Sequence, residues 1–183
     1  MTTASPTEAQ MKEALAELAK ASVTSLKTVF STPPAGKSWK DIEAGMAQGK
    51  SLAEICGLSG GRMEDAYEEA KAKLERKDYE GAKDAFATLC LYEQRTPKYW
   101  GGLAKACEGL KHYEEAVGCY RMMALATGGT EPLPYIGMAY CHIALNDKKS
   151  ALEALETGRE VADPDSDRSA LELMDELIVI CRK

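Results

Sequence analysis

The nine residues DYEGAKDAF, at 78–86, recur as HYEEAVGCY at 112–120 and more loosely as DKKSALEAL at 147–155. Each copy has an alanine near its middle and a bulky residue at its end. The central alanines are 34 and then 35 residues apart: Ala82, Ala116 and Ala151. A second alanine series keeps the same spacing: Ala70, Ala104 and Ala139. Two helices approach closely only where small side chains meet, so this pattern predicts a helical pair that is repeated.

A period of 34 residues with small residues at these places resembles the tetratricopeptide repeat. We therefore predict an all-α fold, a tetratricopeptide-repeat solenoid of three helix-turn-helix repeats with N-terminal helices and a C-terminal capping helix. The predicted parts are an amphipathic helical arm with a proline linker (1–37), short helices (38–62), the repeats (63–165, divided as 63–96, 97–130 and 132–165) and the capping helix (166–183).

Serine residues mark the starts of two short helices ahead of the repeats. Ser38 precedes WKDIEAGMAQ, and Ser51 is followed three residues later by Glu54, which is the spacing of a capping box. Gly57 suits the left-handed position that follows a helix. The glycine-rich stretch GLSGGR, at 57–62, matches neither phosphate-loop pattern and follows no strand pattern, so we interpret it as a turn.

The composition is that of an acidic globular chain. Its 183 residues are 45% hydrophobic and 28% charged, and the formal net charge is −6. No stripe of lysine and arginine is available to neutralise phosphates, so we expect no nucleic-acid partner. No apolar run reaches the roughly 20 residues of a membrane helix, so we expect no direct membrane insertion. The N-terminal stretch MTTASPTEAQMKEALAEL lacks the basic and apolar regions of a secretory signal, which predicts a cytosolic protein.

Few residues offer catalytic or metal-binding chemistry. The two histidines, His112 and His142, have no recognisable nucleophile paired with them and are too few to hold zinc. None of the six cysteines belongs to a C-x-x-C pair, and Cys90 and Cys107 fall at helix-packing positions that favour small apolar side chains. We therefore predict a protein that is not an enzyme, with no catalytic residue, no metal site and no cofactor.

The resemblance to tetratricopeptide repeats also implies a binding groove, which the first helix of each repeat lines through a fixed set of positions. In this chain the implied peptide-binding residues are Tyr67, Lys71, Leu74, Gly101, Lys105, Glu108, Ile136, Tyr140 and Ile143. Such a groove is apolar or aromatic at its ends and basic in its middle, which suits an extended segment of another protein. For Tyr67, Ile136 and Tyr140, simple packing between helices is the alternative interpretation.

Residues 49–120 carry a more specific resemblance. They contain G-x-[ST]-L-x-x-[IL] ahead of the repeats, Y-x-x-A in the first repeat, F-x-x-L-C-x-Y at 86–92 and Y-W-x-G-L-A in the second repeat. This stretch resembles the class II chaperones of bacterial type III secretion systems, over most of residues 38–165. The resemblance implies a chaperone in the bacterial cytoplasm that holds an extended segment of hydrophobic, pore-forming translocator proteins and keeps them soluble for secretion. Lys71 departs from the aromatic residue expected there, which leaves the client motif open.

The N-terminal arm carries an apolar stripe, which consists of Met11, Leu15, Leu18, Leu26 and Val29. Many of the chaperones that this chain resembles dimerise through their N-terminal helices. The resemblance therefore implies a homodimer, with these five residues as candidates for its interface. Folding of the arm onto its own chain is the alternative.

Three other functional classes compete with the secretion chaperone. The broadest is a generic tetratricopeptide adaptor or scaffold that binds a peptide segment of another protein. An adaptor for the acidic C-terminus of a heat-shock chaperone would need lysine and asparagine clamps where Tyr67, Lys71 and Leu74 stand. A thiol enzyme would need at least one exposed cysteine of low pKa.

Overall fold

The computed structural model describes residues 8–58 and 60–182, and the regular structure within these ranges is entirely helical. The α-helices in them are α1 (Glu8–Val29), α2 (Trp39–Ala47), α3 (Leu52–Cys56), α4 (Gly60–Glu75), α5 (Tyr79–Tyr92), α6 (Pro97–Gly109), α7 (Tyr113–Ala126), α8 (Leu133–Ala144), α9 (Lys148–Val161) and α10 (Arg168–Arg182). They belong to two compact units, Met1–Met63 and Glu64–Lys183. The all-α prediction is confirmed.

The first unit contains α1 packed against α2. Ala19, Val23 and Leu26 of α1 are buried, and Ile42 of α2 has no exposed surface. The three α1 residues follow one another at steps of four and three, so they lie on one side of the helix. A short 3-10 turn, Pro34–Gly36, separates the two helices, where the adjacent prolines predict a break.

Capping boxes begin α2 and α3, as the sequence predicts. The Ser38 hydroxyl accepts the N–H of Asp41 at 3.1 Å, and the Asp41 carboxylate accepts the N–H of Ser38 at 3.2 Å. Ser51 and Glu54 make the same two bonds at 3.3 and 2.6 Å. Each box satisfies two N–H groups that the start of a helix leaves unpaired.

Among the described residues of the glycine-rich stretch at 57–62, the turn is confined to its beginning. Gly57 has the predicted left-handed conformation, with a φ of 67°. The turn interpretation is wrong for Gly60, Gly61 and Arg62, because α4 begins at Gly60. The entropic cost of glycine applies mainly in helix interiors, so glycine is tolerated in the first turn of α4.

The second unit contains the repeats, which follow the two alanine series. All six alanines are 0% exposed: Ala70, Ala82, Ala104, Ala116, Ala139 and Ala151. From α5 to α10, each helix packs against the next one in the chain. Burial of every small residue at the predicted spacing confirms the tetratricopeptide-like solenoid.

Helix α10 covers the last repeat. Met174, Leu177, Ile178 and Cys181 are buried in a cluster with Ala151 and Leu155 of α9 and with residues of α8. An uncovered final repeat would expose this apolar surface to water. The predicted role of the C-terminal helix as a cap is therefore confirmed.

Each turn inside a repeat contains a residue with left-handed backbone conformation that is not glycine. These residues are Lys77, Lys111 and Asn146, with φ of 62°, 62° and 59°. In each turn the following N–H bonds back to the preceding helix, as His112 does to the carbonyl of Cys107 at 2.9 Å. In the first two repeats the sequence does not reveal this feature, since lysine is not typical of such turns, whereas the asparagine of the third repeat is.

Replacing Lys111 by glycine is expected to raise the free energy of unfolding by about 1 kcal/mol, because glycine adopts this backbone conformation without strain. Chemical denaturation monitored by circular dichroism measures the change. Ala87→Gly is the matched control, since Ala87 is exposed within α5 and glycine there costs about 1 kcal/mol. If both substitutions destabilise the protein, the left-handed turn at Lys111 is contradicted.

Candidate functional site

A cavity of about 480 Å³ lies within the second unit. Helices α4, α6 and α8 contribute most of its walls, and these are the first helices of the three repeats. Eight of the nine predicted groove residues line it: Tyr67, Lys71, Leu74, Gly101, Lys105, Glu108, Ile136 and Tyr140. The repeat positions that sequence reasoning selects therefore converge on one concave site.

The ninth predicted groove residue, Ile143, does not line this cavity. Its side chain is partly buried against the cluster formed by α8, α9 and α10. Leu173 of α10 lines the cavity instead. The capping helix α10 therefore contributes a side chain to the cavity at its third-repeat end, whereas Ile143 of that repeat packs against the core.

Aromatic side chains from the second helices form part of the cavity lining. Phe86 of α5 and Tyr120 of α7 reach it because they lie directly over glycines of the next repeat. A β-carbon at Gly102 would overlap the Phe86 ring, and one at Gly137 would overlap the Tyr120 ring. In the sequence Phe86 and Tyr120 are seen only as the bulky residues at the ends of the repeated segments. The signal that reveals their second role is a glycine in the next repeat, which follows Phe86 by 16 residues and Tyr120 by 17.

Tyr67 both packs between helices and lines the cavity, so the structure fits both interpretations of this residue. Its ring centroid lies 6.0 Å from that of Phe86 and 5.8 Å from that of Tyr99. It is nevertheless partly exposed and lines the cavity. Tyr140 is 46% exposed and Ile136 is buried. Of these three residues, Tyr140 has the most surface available to a bound molecule.

A lysine and a glutamate from adjacent repeats meet beside the cavity. The Lys98 ammonium donates to both carboxylate oxygens of Glu64, at 2.6 and 2.8 Å. The same ammonium lies 4.1 Å from the centroid of the Tyr67 ring, which is a cation–π distance. The Glu64 carboxylate raises the pKa of Lys98 through this hydrogen bond. Lys98 is therefore held in place by groups of its own chain.

Glu108 is the carboxylate that lines the cavity, and it faces polar groups of the protein. The Cys141 thiol donates to a Glu108 oxygen at 3.5 Å. Burial, followed by the nearby Glu108 charge, raises the pKa of Cys141 to about 12. The same two causes raise the pKa of Tyr120. The Glu108 charge thus acts on the Cys141 thiol and on the Tyr120 hydroxyl.

The histidines and cysteines do not form a site in the described residues. His112 Nδ1 lies 3.3 Å from Lys83 Nζ, and His142 Nδ1 lies 3.7 Å from an Asp147 oxygen. All six cysteines are free, and each is buried or partly buried. Hydrogen bonding from Cys119 lowers the pKa of Cys107, but Cys107 is only 1% exposed. The exposed thiol of low pKa that a thiol enzyme requires is absent from residues 8–58 and 60–182.

The same part of the chain contains no group of three or more side chains arranged to hold a metal ion. None of its helices has the length and apolar character of a membrane span.

The predicted dimer-interface residues divide between two neighbouring sides of α1. Leu15, Leu18 and Val29 are 42%, 64% and 63% exposed, whereas Leu26 is 4% exposed. Leu26 therefore lies with the side of α1 that packs within its own unit and is not available on the surface. The side chain of Met11 lies outside the described residues.

No family model matches this chain. The chaperone protein SicA of Salmonella typhimurium is 23% identical over 125 residues, which cover 68% of this chain and 74% of SicA.

Solved structures that share this fold include proteins of type III secretion systems. A type III secretion complex of Aeromonas hydrophila matches with a TM-score of 0.71 at 20% identity, over 77% of this chain and 94% of the other. PcrH in complex with the chaperone-binding region of PopD matches at 0.64 and 23% identity, over 69% and 95%. A dimeric form of the translocator chaperone SycD of Yersinia enterocolitica matches at 0.63 and 19% identity, over 68% and 95%.

Proposed function

We propose that this chain is a cytoplasmic chaperone of a bacterial type III secretion system, which binds an extended segment of hydrophobic translocator proteins in the cavity of its second unit. The observation that carries the proposal is the cavity itself, where residues of all three repeats and α10 meet. The fold it shares with chaperones that bind translocator segments, such as PcrH with PopD, supports the same function.

The cavity has the chemistry that an extended apolar segment requires. Leu74, Met123 and Ile136 provide apolar walls, while Leu133 and Tyr140 are 56% and 46% exposed. A bound segment would cover these exposed side chains and bury its own apolar residues against them, which is favourable at about 25 cal/mol per Å². Binding of this kind needs no catalytic group.

Retention of a translocator in this way is a matter of mass action. A membrane-inserting protein exposes apolar surface in water and tends to aggregate. A chaperone that binds its incompletely folded form lowers the concentration of the free species without consuming ATP. We accordingly propose a binding protein rather than an enzyme.

Replacing Tyr140 by glutamate is expected to weaken translocator binding at least tenfold, about 1.4 kcal/mol, because it places a charge on an exposed apolar wall of the cavity. The test is co-expression with a hydrophobic translocator of a type III secretion system, followed by isothermal titration with the translocator segment that co-purifies. Ile180→Glu is the control, since Ile180 is 54% exposed on α10 and lies outside the cavity. If both folded variants bind like the wild type, the cavity is not the binding site.

We also propose that two copies associate through α1. The exposed side chains Leu15, Leu18 and Val29 support this, because three large apolar residues lie on one side of a helix that is otherwise polar there. The dimeric form of SycD supports it as a precedent in this fold. Leu26 has no part in this proposal, since it is buried.

A further inference from the structure

The lining of the cavity has the opposite charge from the rest of the chain. The protein as a whole carries a formal net charge of −6. The charged residues that line the cavity are three lysines and one glutamate, namely Lys71, Lys98, Lys105 and Glu108. Among the charged side chains that line the cavity, positive groups thus outnumber negative ones, and a positive group without a partner attracts negative groups.

The three lysines differ in whether their charge is already compensated. Lys98 pairs with Glu64 at 2.6 Å. Lys71 lies 3.6 Å from Glu68 on the same helix, and both side chains are about half exposed. Lys105 makes no ion pair or hydrogen bond with any of the described residues. Since Glu108 is directed at Cys141, Lys105 is the cation of the cavity that the described residues leave without a partner.

Lys105 also occupies a central position. It lies on α6, the first helix of the middle repeat, at the place that Lys71 has on α4 and Tyr140 has on α8. Apolar lining is present on both sides, with Leu74 from the first repeat and Ile136 from the third. A guest that crosses the three repeats therefore meets Leu74 beside Lys71, then Lys105, and then the apolar surface of the third repeat.

We propose that the guest segment carries an acidic residue between apolar anchors, and that its carboxylate pairs with Lys105, assisted by Lys71. This inference rests on the proposed function and specifies the chemistry of its partner. The apolar anchors supply most of the binding energy, while the carboxylate sets the register of the guest across the repeats. A guest with a basic residue at that point is disfavoured by like-charge repulsion.

Binding of the co-purified translocator segment to Lys105 variants tests this proposal. Lys105→Ala is expected to weaken binding about fivefold at low salt, and Lys105→Glu about tenfold or more. The difference from wild type should shrink by 0.5 M salt, because screening is then strong over about 4–5 Å. Lys149→Ala on α9 is the control and should bind like the wild type, since Lys149 is 88% exposed and lies outside the cavity.

A second measurement identifies the carboxylate. Each Asp or Glu of the segment is changed in turn to Asn or Gln. One of these changes is expected to weaken binding to the wild type but to have no further effect on binding to Lys105→Ala. If Lys105→Ala and Lys105→Glu bind like the wild type while Tyr140→Glu still weakens binding, the acidic guest is rejected and the chaperone function stands. If neither the lysine nor the tyrosine substitutions affect binding, the proposed function itself is rejected.

Discussion

Replacing Phe86 by alanine is expected to lower the free energy of unfolding by about 3–5 kcal/mol, the usual cost of removing a buried aromatic ring. Phe86 is 1% exposed, and its ring lies over Gly102 of the next repeat and beside Tyr67. The substitution leaves a cavity where two repeats meet, so it weakens the interface between them as well as its own helix. Urea denaturation monitored by circular dichroism measures the change.

A double-mutant cycle with Gly102 isolates this contact. Gly102→Ala alone is expected to cost about 1–3 kcal/mol, because the new methyl group overlaps the Phe86 ring. In the Phe86→Ala background the same methyl group enters vacated space, so the two effects should fall short of additivity by about 1–3 kcal/mol. Strict additivity would show that the ring does not rest on Gly102.

Gly118→Ala provides the matched control for this cycle. Gly118 is exposed within α7, and a β-carbon there has no neighbour within 4 Å. Alanine should raise the free energy of unfolding by about 0.5–1 kcal/mol, since it is the better helix former. The same glycine-to-alanine change is thus expected to have opposite signs at Gly102 and Gly118.

Introducing glutamates at Leu15 and Leu18 together is expected to halve the mass of the protein in solution. Both residues are exposed on α1, and charges there would be buried without partners in a dimer interface. These point changes are cleaner than removal of residues 1–37, which would uncover Ile42 of α2 as well. Sedimentation equilibrium measures the mass, and circular dichroism checks that α1 remains helical.

Thr24→Glu is the control for the dimer test. Thr24 is exposed on the side of α1 away from Leu18, so its replacement should leave the mass unchanged. A wild-type protein that is already monomeric, or a Leu15/Leu18 variant that keeps the wild-type mass, would contradict dimerisation through α1.

The sequence alone predicts the architecture because the same local pattern of small and bulky residues occurs three times along the chain. Small residues at fixed spacing determine where two helices can approach, and the alanine series at Ala82, Ala116 and Ala151 is buried as predicted. A capping serine such as Ser38 bonds to a residue three positions later, so its capping role can also be predicted from the sequence. The positions that line the groove follow from the same period, which is why most of them converge on one cavity.

Three features depend on contacts between residues far apart in the chain. Leu26 and Leu18 look alike in an apolar stripe, but packing of α1 on α2 buries the first and leaves the second exposed. Ile143 occupies a groove position of the repeat, yet its side chain packs against the core cluster that includes α10. Lys98 is paired with Glu64, from another repeat, while Lys105 has no such partner in the described part of the chain.

Periodicity therefore determined the repeat helices, their order and the burial of their small residues, because these depend on spacing along the chain. The tertiary structure decided which apolar side chains remain exposed, which aromatic rings reach the cavity and which charge in it is uncompensated. Those outcomes depend on the direction of each side chain and on the neighbour it meets, and a helical repeat specifies neither of them by its spacing.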